Sequence, residues 1–117
     1  MYSKFGQFID GKWQASSNKE TYDVMNPATE EVIGKASKAT SVDVEKALKS
    51  AAKGFEVWKK VKPWERSKII KKIADEIRKK SKIFSQWMTL ETGKTLAEGE
   101  AEASASADIF EWNAEET

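Results

Sequence analysis

The chain has 117 residues, no Cys and no His, with 39% apolar and 33% charged residues and a net charge of +1. That length allows one modest domain at most, and the composition is that of an ordinary globular protein rather than a disordered one. Disulfides, thiolate chemistry, His-based proton transfer and the usual zinc sites are excluded by the missing residue types.

The first elements are written in strand language. Gln7-Phe8-Ile9 and Lys12-Trp13-Gln14 flank Asp10-Gly11, and Asp-Gly between apolar-bearing arms predicts a hairpin on a type I′ turn. A polar loop over 15–20 follows. Tyr22 and Val24 then alternate with polar neighbours, Asn26-Pro27-Ala28-Thr29 supplies a turn, and the stretch from Glu31 to Ala36 returns as a strand. These strands form an antiparallel unit spanning 1–39.

From Thr40 the apolar period lengthens to that of a helix, and a helical unit spans 40–117. Thr40 with Asp43 reads as an N-cap backed by an acid in the first turn. Val44, Ala47, Leu48, Ala51, Ala52, Phe55 and Trp58 share one face, which is the expected inward face. Pro63 opens a second helix with Ile69, Ile70, Ile73, Ala74 and Ile77 inward. A third begins near Ser81, buries part of the set Phe84, Trp87, Met88 and Leu90, and stops at Gly93. Thr95 and Glu98 form a capping box for a fourth. That last helix is slim, with Ala97, Ala101, Ala103, Ala105 and Ala107, and is bulkier at Phe110 and Trp112. Glu115 and Glu116 oppose its dipole and no stop signal follows, so the expectation is a helix cut short. The fold class expected is an α+β fragment: short N-terminal antiparallel strands followed by about four helices, with no complete dinucleotide-binding domain.

Charge is sorted along the chain. Residues 46–82 carry 14 Lys and Arg against 4 Asp and Glu, whereas 91–117 carry 8 acids against Lys94 alone. The basic stretch could serve nucleic acid, but its interleaving with apolar residues favours a solvated helix face offset by the acidic helix. We therefore expect no nucleic-acid partner. No apolar run approaches the roughly 20 residues of a membrane span, and Met1-Tyr2-Ser3-Lys4 leads into no apolar signal segment. No membrane partner and a cytoplasmic location are the expectations.

Several motifs are decoys. Gly93-Lys94-Thr95 imitates the end of a phosphate-binding loop, but the position that should be its first glycine is Met88. Glu98, Glu100 and Glu102 lie two apart and so point to different helix faces. Of the five Trp, Trp58 and Trp87 are expected in the core, and Trp13, Trp64 and Trp112 against neighbouring parts of a larger protein. A stacking or pocket-lining role is the alternative.

Five pieces stand in a telling order: Phe8-Ile9-Asp10-Gly11-Lys12-Trp13; Asn26-Pro27-Ala28-Thr29 with Val32-Ile33-Gly34; Ala39-Thr40 ahead of Asp43; Glu65-Arg66; and Leu90-Glu91-Thr92-Gly93-Lys94. Together they resemble the N-terminal section of the NAD(P)-dependent aldehyde dehydrogenases. The ending Ile109-Phe110-Glu111-Trp112 before Ala114-Glu115-Glu116 looks most like the succinate-semialdehyde dehydrogenase branch. The resemblance implies that the chain is part of that family's α/β fold, and that its parent is an oxidoreductase converting an aldehyde to an acid with NAD or NADP. The Cys nucleophile, Glu base, Asn oxyanion donor and cofactor turn that it implies match no position here. No catalytic or cofactor-binding residue is therefore expected in this chain, and it should be inactive alone and bind no nicotinamide.

By the same resemblance, the backbone carbonyl of Val24 and the carboxylate of Glu91 match two ligands of a monovalent cation, Na⁺ or K⁺, with a third ligand missing. A plain last-turn role before Gly93 is equally open for Glu91. Ala101, Ala105, Asp108 and Trp112 match a helix bordering the aldehyde entrance, with close helix packing as the alternative. Three overall readings stand: a truncated N-terminal portion of an aldehyde dehydrogenase whose partner is the rest of that chain or a second copy, a free-standing helical interaction module, and a nucleic-acid binder.

Overall fold

The computed structural model describes residues 6–117. Its elements divide into two compact units, Met1–Lys60 and Val61–Thr117. The boundary thus falls after the first long helix, not at 39/40 where the period of the sequence changes.

In the first unit, β1 (Gln7–Ile9) and β2 (Lys12–Gln14) pair antiparallel, with Phe8 opposite Trp13. Asp10 and Gly11 both adopt positive φ, 54° and 75°, the requirement of a type I′ turn. The Phe8 and Trp13 rings lie 5.2 Å apart. A second, separate antiparallel pair joins β3 (Thr21–Met25) to β4 (Val32–Ser37). In its turn, the Ala28 amide donates to the Asn26 side-chain oxygen at 2.9 Å, the local bond that suits Asn to turns. The β3–β4 register shifts between Val24 and Met25.

Helix α1 (Ser41–Trp58) completes this unit. Its contact stripe is not the one its apolar pattern suggests. Asp43 is buried, Ala47 and Ser50 are half-buried, and the Ser50 hydroxyl donates to Asp10 in the β1–β2 turn at 3.2 Å. Residues 43, 47 and 50 recur at helical spacing and make one stripe. Val44, Leu48 and Phe55 lie about a quarter turn away and remain 49%, 62% and 61% exposed. Of the expected inward face of α1 only Ala47 is half-buried, the other six positions are exposed, and Trp58 is not a core residue.

The second unit contains α2 (Pro63–Lys79), α3 (Ser81–Thr92) and α4 (Leu96–Glu115), with α4 packed on both α2 and α3. Pro63 occupies the first turn of α2 as expected. Lys68 reaches over the Trp64 ring, 4.6 Å from its centroid. Gly93 ends α3 in the left-handed region at φ 76°, a conformation that costs a glycine no Cβ clash. Among the described residues the fully buried apolar side chains are Ala74, Ala103, Ala107 and Ala114, all in this unit.

Those four positions refine the expectation for α4. The packed stripe is Gly99, Ala103, Ala107 and Ala114, while Ala101 and Ala105 face away and are exposed. On α2, Ala74 is buried and Ile70 and Ile77 half-buried, but Ile69 and Ile73 are exposed.

Candidate functional site

Two polar arrangements fix the geometry of the units. In the first, Asp43 closes the predicted capping box on α1. The Thr40 backbone N–H donates to its carboxylate at 3.0 Å, and the Asp43 amide donates back to the Thr40 hydroxyl at 3.3 Å. The same carboxylate reaches a loop 26 residues earlier, where the Ser17 amide donates to both of its oxygens at 3.1 Å. Hydrogen bonds from the Thr40 and Ser17 backbones, against the opposing effect of burial, lower the Asp43 pKa to about 2. Neighbouring Ser16 is also buried, and its hydroxyl donates to the Glu20 carbonyl at 3.1 Å. The sequence signals the cap but gives no sign of the tie to Ser17.

The second arrangement lies where α3 meets α4. Buried Ser85 donates its hydroxyl to the Leu96 carbonyl at 2.7 Å. A Cβ placed on Gly99 would come within 2.9 Å of the Ser85 Cα, so only glycine admits this approach without a shift. The sequence analysis passed over Gly99, although a glycine inside a helical stretch is a signal that could have marked this contact; Ser85 itself carries none. The Thr95–Glu98 capping box forms as expected. Hydrogen bonds from the Thr95 backbone and hydroxyl hold the Glu98 carboxyl below its ordinary pKa.

Ion pairs join α2 to α4 at the surface. Arg78 donates to Asp108 at 2.9 Å and also to Glu111, and Lys71 pairs with Glu115. The acids that oppose the α4 dipole are thus partly offset by cations from α2. These side chains are well exposed, so solvent screens most of the attraction.

An apolar cleft of about 350 Å³ lies between the three helices, lined by Ile77, Phe84, Trp87, Met88, Ala103 and Ser106, together with Glu91 and Thr92. Phe84 and Trp87 meet edge to face, their centroids 6.0 Å apart. Glu91 is the one ionisable residue in this lining. Such a cleft can take an apolar group, and the polar residues of its lining are Glu91, Thr92 and Ser106.

The sequence-expected site residues fall in different places. Val24 is half-buried on β3, at the register shift. Glu91 is exposed in the last turn of α3. Val24 belongs to the first unit and Glu91 to the second. No cluster of three or more acidic side chains that could hold a metal occurs among the described residues. Ala101, Ala105, Asp108 and Trp112 do share one stripe of α4, and all four are exposed, Trp112 by 70%. Of the four, Asp108 reaches a neighbouring helix, through its ion pair with Arg78 of α2. Both strand pairs among the described residues are antiparallel. Among the described residues no helix is long and apolar enough to cross a membrane.

The sequence model of the aldehyde dehydrogenase family matches residues 13–117. Over 109 residues the chain is 33% identical to succinate-semialdehyde dehydrogenase [NADP(+)] 2 of Schizosaccharomyces pombe, covering 93% of this chain and 22% of that protein. It also superposes on a betaine aldehyde dehydrogenase of Staphylococcus aureus, solved in complex with NAD⁺, with a TM-score of 0.90 and 37% identity. That likeness again covers 93% of this chain and 22% of the relative. The helices and hairpins described above are thus those of a fold that this chain spans only in part, and with the match extending over residues 13–117 the chain belongs to the aldehyde dehydrogenase family.

Proposed function

We propose that this chain supplies the N-terminal framework of an NAD(P)-dependent aldehyde dehydrogenase and has no catalytic activity alone. The observation that carries the reading is the family match over residues 13–117 in a sequence with no cysteine. Oxidation of an aldehyde through a covalent intermediate needs a thiolate to attack the carbonyl and a nicotinamide to accept the hydride. This chain has no thiol for the first and no phosphate-binding turn for the second. Its own residues do structural work: Asp43 and Ser85 set loop and helix positions, and the alanine stripe of α4 lets that helix lie close to its neighbours.

Succinate semialdehyde is the substrate we propose for the assembled enzyme, on the likeness to the S. pombe protein. Whether NAD or NADP serves it is decided by residues outside this sequence. The exposed stripe Ala101, Ala105, Asp108 and Trp112 is proposed to border the aldehyde entrance, with Arg78 holding Asp108 in place. Val24 and Glu91 are proposed as contributors to a Na⁺ or K⁺ site. A register shift turns backbone carbonyls out of regular pairing, and this supports the role of Val24. For the cation, Na⁺ or K⁺ should raise the melting temperature slightly more than an equal concentration of a bulky organic cation. Equal melting of the wild type and Glu91→Ala in all salts would remove that proposal.

The main reading is tested by incubating the purified chain with succinate semialdehyde and NAD⁺ or NADP⁺, following the reduced cofactor by absorbance and titrating cofactor by calorimetry. No turnover and no saturable binding are expected. Turnover above a heat-denatured control would overturn the reading.

A further inference from the structure

The basic residues of the two units are placed differently. On α2, Lys71 is answered by Glu115, Arg78 by Asp108 and Glu111, and Lys79 by Glu76. On α1, Lys46, Lys49 and Lys53 form no ion pair among the described residues. They follow one another at helical spacing, and with Ser50 they line one wall of an open cleft of about 410 Å³ whose other wall is the β1–β2 hairpin at Ile9, Asp10 and Gln14. Asp10 is the one carboxylate in this lining, and it accepts from the Ser50 hydroxyl at 3.2 Å. Three positive charges thus stand against one negative, and a cleft with such an excess focuses its field and concentrates anions. The type of cation narrows the ligand. Arg presents a planar fork that suits a single phosphate or carboxylate, whereas Lys is a compact charge on a flexible stem. Lys46 and Lys53 are seven residues apart, about 10 Å along the helix axis. Point charges set out along a line match a ligand whose negative charge is also spread along a line.

We propose that the cleft between α1 and the β1–β2 hairpin binds a linear triphosphate, free or as a nucleoside ester, through Lys46, Lys49 and Lys53, and that Asp10 weakens this binding. The site is independent of the framework reading. It is also not a nicotinamide site: NAD⁺ bears a single pyrophosphate beside a cationic ring, and the further phosphate of NADP⁺ stands apart from that pair.

Inorganic triphosphate would be titrated into the chain by calorimetry at physiological ionic strength, with backbone amide shifts followed by NMR. We expect one saturable site, with shifts at Ile9, Gln14 and residues 46–53. Joint replacement Lys46→Gln, Lys49→Gln and Lys53→Gln should weaken binding at least about tenfold, since the charges that attract the ligand are gone. These side chains are exposed, so helical circular dichroism should be unchanged. The same replacement of Lys68 and Lys72 on α2 should leave binding as it was. Asp10→Asn should strengthen it by about twofold or more, because the opposing charge is lost while Asn-Gly still suits the turn. ATP should shift the same residues, and whichever of the two triphosphates binds more tightly identifies the source. Citrate, a compact trianion, should bind more weakly than either. The absence of saturable binding, shifts that map elsewhere, or full affinity in the triple variant overturns the proposal. So does citrate binding as tightly as triphosphate. A single-stranded oligonucleotide that occupies these residues more tightly than both triphosphates makes nucleic acid the ligand and overturns it as well.

Discussion

The two units are held together by different means. In the first, the buried side chains are polar: Ser16 and Asp43 are inside, and the apolar stripe of its one helix is outside. In the second, four alanines are buried and α4 lies close enough to α3 that Gly99 has no room for a Cβ beside Ser85. Burying an alanine methyl contributes on the order of 1 kcal/mol, so neither unit gains much from removing apolar area from water. The first relies on directional hydrogen bonds and the second on close approach. What this teaches is that a segment of a large fold can have well-defined local geometry while the apolar faces that would give it a core of its own stay exposed.

The comparison can be broken hardest in the second unit. Ala107→Leu forces a large side chain into a fully buried position, and overpacking of this kind costs about 1–3 kcal/mol or more. Urea unfolding followed by tryptophan fluorescence should show the loss, with amide exchange at Ser17 unaffected. Equal stability of variant and wild type would mean that α4 is not held by close packing.

A smaller break is expected in the first unit. Thr40→Ala removes the cap of α1 and one donor to Asp43, a loss of about 1 kcal/mol. Hydrogen exchange at Ser17 should accelerate while that of α4 stays as it was. Uniform acceleration across both units would show that they unfold as one.

Acid sharpens the contrast. Asp43 has its pKa lowered from 3.8 to about 2 in the folded unit, so its contribution is present above the unfolded value and is lost as pH falls from near 4 through 2. Glu98 shifts in the same direction, so α4 should loosen at its N-terminus in the same acid range. Carboxyl titration by NMR in wild type and Asp43→Asn checks this: the acid loss in the first unit should vanish in the variant. An Asp43 that titrates near its ordinary value would contradict the hydrogen-bond account. The smallest effect belongs to Trp112→Ala. At 70% exposure, its removal should change stability by no more than about 0.5 kcal/mol, and a larger loss would place that ring against a neighbour.

The elements were legible in the sequence because their signals are local. Asp10-Gly11, Thr40 with Asp43, Pro63, Gly93, and Thr95 with Glu98 each act within a few residues, and each ends or begins an element where expected. Which faces are buried was less legible. Apolar periodicity on α1 marks Val44, Leu48 and Phe55 as a face meant for burial, but what covers it lies outside the pattern of the helix itself. On α4 the run of alternating alanines points equally to two faces, and Gly99 with Ser85 decides between them. The Asp43–Ser17 tie joins residues 26 apart, which no local rule could supply. Val24, Glu91 and the α4 stripe were named by the family likeness and by no local signal, and their roles stand as proposals.

The central claim is that this chain provides framework and no chemistry. It is tested most directly by measuring NAD⁺-dependent aldehyde oxidation in the chimera that carries this chain in place of the matched segment of the S. aureus enzyme, beside the isolated chain under the same conditions. The account predicts reduced cofactor from the chimera and none from the isolated chain. Turnover by the isolated chain, or a folded chimera that binds NAD⁺ but never oxidises its aldehyde, would contradict it.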